Sequence, residues 1–312
     1  MTASTHDAAV DRQFSPRATA YLTSAVHAQG EDLQQMAGIA RQHPDARVLD
    51  LGCGGGHVSF HVAPEVRHVT AYDLSQQMLD VVAAEAAKRG LANLVACQGK
   101  AEYLPFADGE FDLVMSRYST HHWQDAGRGL REAFRVLKPG GIAVFADVVS
   151  PGEPLLDTWL QTIEVLRDTS HVRDYSVAEW TRMLTEAGFT LQGLSPRRLP
   201  LEFQTWVTRM RTPDTLVAAL RHMFGIAPDV VRAHFDVQED SSFTSDTATI
   251  VVKKPGLIRS WISGARAGPT QPARRPRPGC ARTAPPAPRP ARNAGPGPAP
   301  RTPAPGSSTI RP

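Results

Sequence analysis

The stretch Val48-Leu49-Asp50-Leu51-Gly52-Cys53-Gly54-Gly55-Gly56-His57 decides how this chain folds. An apolar run ends on an acid, meets a cluster of glycines and passes into an amphipathic stretch at 57–63. That succession predicts a strand, a sharp turn and a helix. Glycines let the backbone bend tightly and approach a ligand, and the helix that follows aims free N–H groups at it. Working outward, the alternation recurs. Apolar runs at Arg47–Leu51, His68–Asp73, Leu94–Gln98, Phe111–Ser116 and Gly141–Val148 alternate with helical patterns near 57–63, 75–89 and 125–137. Runs as continuously apolar as FDLVM and IAVFADVV belong to strands covered on both faces, so the spacing predicts an α/β protein with a mostly parallel sheet.

The turn Lys138-Pro139-Gly140-Gly141 is expected to stop a helix at Leu137. Beyond it, helices are predicted near 154–167, 176–187, 202–210, 213–223 and 228–235, with strands at 189–195 and 243–253. Upstream, 11–43 is helical in pattern, broken at Gly30. The expected organisation is an N-terminal helical cover (1–43), a main domain (44–254) and a tail (255–312). The tail holds 15 of the 26 prolines and ten arginines but no acid, and is expected to be disordered. Its composition of GC-rich codons also fits a reading frame extended past an earlier stop. Residues 1–254 carry 24 Lys and Arg against 31 Asp and Glu, so the basic total of +3 comes from the tail, and the acidic body argues against nucleic acid as partner. Three scattered cysteines exclude a disulfide scaffold. No run reaches the ~18 apolar residues of a membrane span, and the N-terminus lacks a secretory pattern, which makes a cytoplasmic location the expectation.

The glycine turn narrows the ligand. A dinucleotide fingerprint needs glycine at its sixth position, but counting from Gly52 gives His57 and from Gly54 gives Ser59. Asp50 would repel a pyrophosphate and suits an amino group. Asp73 ends the second strand, 17 residues past Gly56, where it would accept hydrogen bonds from two ribose hydroxyls. Leu74 and Met78 follow, placed to pack on an adenine. The inferred ligand is an adenosine with a zwitterionic 5′ substituent, and S-adenosylmethionine fits best.

VLDLGCGGG (48–56), YDLSQQML (72–79), GKAEYLPFADGEFDLV (99–114) and LREAFRVLKPGG (130–141) resemble the successive motifs of class I S-adenosylmethionine-dependent methyltransferases. The resemblance is greatest to the branch holding the UbiE-type enzymes and the "methyltransferase type 11" proteins. SRYSTHHW (116–123) and LRDTSHVRDYS (166–176) resemble a narrower YafE/YcgJ-like group within it. The resemblance implies a Rossmann-like fold, a mostly parallel seven-stranded sheet with helices on both faces. It also implies that Gly52, Gly54 and Gly56 line the methionyl part, that Asp50 orients its ammonium, that Asp73 holds the ribose, and that Ala101 and Glu102 lie near the adenine edge. One position departs from the family pattern: an acid commonly follows the glycine of the third motif, and this chain has Lys100.

The acceptor belongs beyond the carboxyl ends of the strands, beside the glycine turn. Residues 117–123 fall there. His122, ahead of His121, is the candidate base, since a histidine changes charge near neutral pH. Arg117 would hold the methionine carboxylate or an acidic substrate. His171, a second catalytic candidate, and Arg173 are candidates to face the acceptor, and Tyr21 to close over the cofactor; each has a plainer reading as core, ion pair or solvated loop. His57 and His61 have zinc-ligand spacing but no third ligand, so no metal is expected. The chain also lacks the G-x-S-x-G elbow and the phosphate-binding P-loop. The expected function is methyl transfer to a small, apolar or aromatic acceptor, quinone-like by resemblance. The alternative is a catalytically inactive S-adenosylmethionine-binding protein serving as regulator or partner.

Overall fold

The computed structural model describes residues 5–15 and 30–256. Seven strands form one sheet: β1 (Arg47–Leu51), β2 (His68–Asp73), β3 (Leu94–Gln98), β4 (Phe111–Arg117), β5 (Leu137–Val148), β6 (Thr190–Leu201) and β7 (Phe243–Lys253). They lie in the order β3-β2-β1-β4-β5-β7-β6, and only β7 runs against its neighbours. The chain winds outward from β1 in one direction and restarts at β4 in the other. That reversal opens a crevice at the carboxyl ends of β1 and β4, where open α/β sheets bind their ligands.

The ten described helices are α1 (His6–Phe14), α2 (Glu31–Arg41), α3 (His57–Val62), α4 (Gln76–Lys88), α5 (Ala126–Val136), α6 (Pro154–Arg167), α7 (Val177–Ala187), α8 (Phe203–Met210), α9 (Asp214–Gly225) and α10 (Asp229–His234). Alternate strand residues face opposite sides of the sheet. Val48, Leu113, Met115 and Val144 join Leu33 and Met36 of α2 and Val58 of α3. Leu49, Val114 and Phe145 face the other way, onto Leu130 of α5 and Trp180 and Leu184 of α7. A separate core of Leu160, Trp206, Phe224 and Phe243 ties α6 to α8–α10. No described helix is long and apolar enough to cross a membrane.

The fold matches the sequence expectation, with three local differences. Helix α5 ends at Val136 and Leu137 already pairs with Phe111, so Lys138–Gly141 lies within β5 instead of forming a free turn. A register shift between Phe111 and Leu113 absorbs it, and Gly140 takes a left-handed φ of 82°. Strand β6 continues to Leu201 instead of ending at 195. Pro196 and Pro200 suggest a break in the sequence, yet β6 is an edge strand, where a missing N–H costs no ladder bond. Near the N-terminus, helix spans 6–14 instead of starting at 11, and α2 follows Gly30 as expected. Tyr21 and the tail beyond Gly256 lie outside the described residues.

Candidate active site

The crevice between β1 and β4 is built from their ends and closed from above by α1. Gly52 N–H and Cys53 N–H both donate to the Tyr72 carbonyl, at 2.8 and 3.0 Å, which folds the turn back against β2. Gly52 has a φ of 71° and a Cβ there would strike the Ser119 side chain, so the turn and the segment after β4 touch only because this residue has none. A Cβ on Gly54 would meet no protein atom within 4 Å; the space it would fill belongs to the cavity. Gly56 is not part of the cavity wall, and its place is to let α3 begin close against Phe60 and Val82.

Two buried acids sit at this turn. Asp50 Oδ2 accepts from Ser59 N–H at 2.9 Å and from the Ser59 hydroxyl at 2.6 Å. Its Oδ1 is buried with no hydrogen-bond partner although the residue borders the cavity. Burial pushes the carboxyl up to about 7, against the pull of the Ser59 hydrogen bonds. An orphaned carboxylate oxygen at a cavity wall is satisfied by a cationic donor, and an ammonium group fits. Asp73 accepts from Gly54 N–H at 2.8 Å and Ser75 N–H at 2.9 Å. Burial raises its pKa too, and those backbone bonds oppose the rise. Leu74, Met78, Ala101 and Glu102 line the same cavity. Glu102 braces its far side by accepting from Asp125 N–H at 3.2 Å.

One face of α1 forms the roof. His6, Val10 and Phe14, spaced by four, line the cavity together with Asp7. Asp7 is ion-paired with Lys100, the residue that replaces the family's acid, so a carboxylate is present beside the third motif but comes from α1. His6 Nε2 donates to the His122 carbonyl at 2.9 Å, the Phe14 ring meets the His122 ring edge-on at 4.8 Å, and Ser15 bonds Ser75 at 2.6 Å. Sequence reading missed His6 and Asp7, although the spacing His6-Val10-Phe14 is itself the helical signal.

The segment after β4 makes the remaining wall. Tyr118, in a left-handed conformation (φ 49°), Ser119, His122 and Trp123 border the cavity. Thr120 N–H and His121 Nδ1 hold the Asp147 carboxylate, at 3.0 and 2.6 Å. Burial alone would lower the His121 pKa, but Asp147 overcomes it and raises the value to about 9, so this imidazole is charged. His122 is pushed down to about 3 by burial and by that neighbouring charge. Its Nδ1 donates to the Ser170 carbonyl at 3.2 Å and its Nε2 lies 4.0 Å from Asp168, so both ring nitrogens face the 168–170 segment. His171 is buried outside the cavity wall, 3.0 Å from the Gln161 side chain. Arg173 is spent on Asp157 and Glu179, also away from the cavity. Arg117 does reach the cavity, with its guanidinium paired to Asp32 of α2 and stacked 4.5 Å over the Tyr118 ring. No cluster of metal-ligating side chains occurs among the described residues.

A doubly wound sheet with two acids and a glycine turn at its switch point is the arrangement of class I methyltransferases, for which S-adenosylmethionine is the methyl donor. Residues 49–145 match the family model described as a methyltransferase domain. YafE of Escherichia coli is 51% identical over 203 residues, spanning 65% of this chain and 98% of that protein. YcgJ of Bacillus subtilis, described as a methyltransferase, is 36% identical over 64% of this chain and 79% of its own. The crystal structure of YcgJ superimposes with a TM-score of 0.70 and 31% identity, covering 72% of this chain and 98% of that one. UbiE of Bartonella henselae is 37% identical over 36% of this chain and 44% of its own. The chain belongs to the S-adenosylmethionine-dependent methyltransferases, in the group that holds YafE and YcgJ.

Proposed function

We propose that the chain methylates a small apolar or aromatic acceptor held between α1 and residues 118–124, with residues 1–43 as cover and 44–254 as the catalytic domain. The observation that carries this reading is the lining itself. Val10, Phe14, Tyr118 and Trp123 line the same cavity as Asp50 and Asp73. Asp50 would take the ammonium, Asp73 the ribose hydroxyls, and Leu74 and Met78 the adenine face. S-adenosylmethionine supplies an electrophilic methyl group on a sulfonium sulfur. The protein's part is to align the acceptor behind that methyl and to keep water out, and the roof formed by α1 serves both ends. A quinone-like ring suits the aromatic lining, and the name of UbiE, a ubiquinone/menaquinone biosynthesis C-methyltransferase, points the same way.

A second reading, a cofactor-binding protein without chemistry, draws support from His122, whose nitrogens both face the 168–170 segment. One experiment separates the two. The purified chain is incubated with methyl-labelled S-adenosylmethionine and a small-molecule extract, and labelled products are resolved by mass. A labelled low-mass product is expected. Tight binding of S-adenosylhomocysteine with no labelled product across extracts would favour the inactive reading.

A further inference from the structure

His122, the candidate base, turns its nitrogens away from the acceptor space, yet another imidazole borders that space. His6 lies on the cavity face of α1, in line with Val10 and Phe14. Its Nε2 is 2.9 Å from the His122 carbonyl, which can only accept. Nε2 therefore carries the proton, and in the neutral ring the lone pair is on Nδ1. The bond also ties His6 to the wall that follows β4, on the acceptor side of the cavity. Its neighbour Asp7 is tied to Lys100, at the end of the groove expected to hold the adenine. The two contacts seat α1 across both ends of one cavity.

Resting on the methyltransferase reading above, we propose that His6 is the catalytic base, brought to the acceptor by closure of α1. The acceptor's nucleophilic atom forms a bond to the methyl carbon, and the sulfur–methyl bond breaks with its electron pair kept on sulfur. The electron pair of the acceptor's X–H bond stays on X, and the proton passes to His6 Nδ1. The products are the methylated acceptor, the neutral thioether and an imidazolium, which gives its proton to water once α1 lifts. An enzyme so built has its base in place only when the cover is down. Its site is then closed to water at the moment of transfer.

Three proteins test this: the full-length wild type, His6→Gln and His6→Ala. Glutamine keeps an N–H for the His122 carbonyl and so keeps α1 seated, but it cannot take a proton. Binding of S-adenosylhomocysteine is measured by calorimetry, and transfer is followed with methyl-labelled S-adenosylmethionine and the extract in which the wild type yields product. We expect His6→Gln to bind within about twofold of wild type and to transfer on the order of a hundred- to ten-thousandfold more slowly. Added imidazole should restore part of the rate in His6→Ala and none in wild type. Wild-type transfer by His6→Gln overturns the proposal, and so does a rate loss matched by an equal loss of affinity, which is a seating role only. Failure of imidazole and methylimidazoles to restore His6→Ala overturns it as well. If the wild type binds S-adenosylhomocysteine but labels nothing, the methyltransfer reading fails first and this role goes with it.

Discussion

Asp50 is where burial and ligand charge oppose each other most directly. In the free protein its carboxyl titrates near 7 because it is buried, with Oδ1 left unpaired. An ammonium placed at that oxygen favours the carboxylate, so binding must expel a proton whenever the pH is below about 7. Affinity for S-adenosylhomocysteine should therefore rise from pH 6 toward pH 8, by up to about tenfold per unit below the carboxyl's pKa. Calorimetry in two buffers of different ionisation heat would register the released proton; a flat affinity with no proton release would sink the assignment. The folded pKa lies above the unfolded value of about 3.9, so the native state binds the extra proton and loses stability as pH climbs between the two. Asp50→Asn removes that penalty. It should raise the melting temperature at pH 8 more than at pH 5 while weakening the cofactor, opposite effects that a general folding defect would not produce. Asp73 has a different part. On the proposed ribose role, Asp73→Ala should weaken S-adenosylhomocysteine binding by about 1.5–3 kcal/mol, roughly ten- to hundredfold, through lost charged hydrogen bonds. Because it also anchors Gly54 and Ser75, the thermal melt must be read beside the affinity.

Among the elements, α1 and α7 show two ways in which a helix is held. No residue of α1 is buried, and it is held at the cavity rim by polar contacts to Lys100 and His122, by the Phe14 ring on His122, and by Ser15 just past its end on Ser75. An element so held opens at low cost. Deleting residues 1–15 should leave the melting temperature of the free protein within a few degrees and yet lower affinity for S-adenosylhomocysteine several-fold, measured by scanning and titration calorimetry. By contrast, α7 starts with a full capping box, Ser176 with Glu179, and Arg173 bonds the same glutamate at 3.0 Å. Ser176→Ala should cost about 1 kcal/mol of stability. Arg173→Ala should leave cofactor affinity unchanged, since the arginine braces this cap. These residues also show what the sequence made legible. Continuous apolar runs placed β1–β5, and the acid-glycine turn pointed to the class of cofactor, because both signals are local in the chain. Arg117 and Arg173 looked available for a ligand because the ion pairs that occupy them are formed in the fold; Asp32 lies 85 residues from Arg117. His171 reads as a loop histidine and is buried by α6, whose Gln161 it contacts. Strand β6 ran on through two prolines because nothing pairs with its outer edge among the described residues, a property of topology and not of sequence.

For the whole molecule the question is what residues 257–312 contribute. Every strand of the sheet lies between Arg47 and Lys253, and the last described contacts close on themselves. Lys254 Nζ donates to the Phe134 and Leu137 carbonyls at 2.7 Å each, capping the end of α5. A chain ended at Gly256 keeps every described strand, cavity-wall residue and core residue. It does lose ten arginines, and the remaining body carries more acid than base. The two kinds of property should separate cleanly on truncation. Melting temperature and affinity for S-adenosylhomocysteine should stay unchanged, whereas any retention on heparin or duplex DNA should vanish. In the full chain that retention should weaken linearly in the logarithm of salt, as counterion release by arginines requires. A truncated chain that still bound the polyanion would place its basic surface on the body, in conflict with the charge count there. A truncated chain that melted more than a few degrees lower would mean that 257–312 packs on the body, and the boundary drawn at 254 would have to move. On the proposed division, the positive net charge belongs to 257–312 and the chemistry to the acidic body, and this truncation tests both assignments at once.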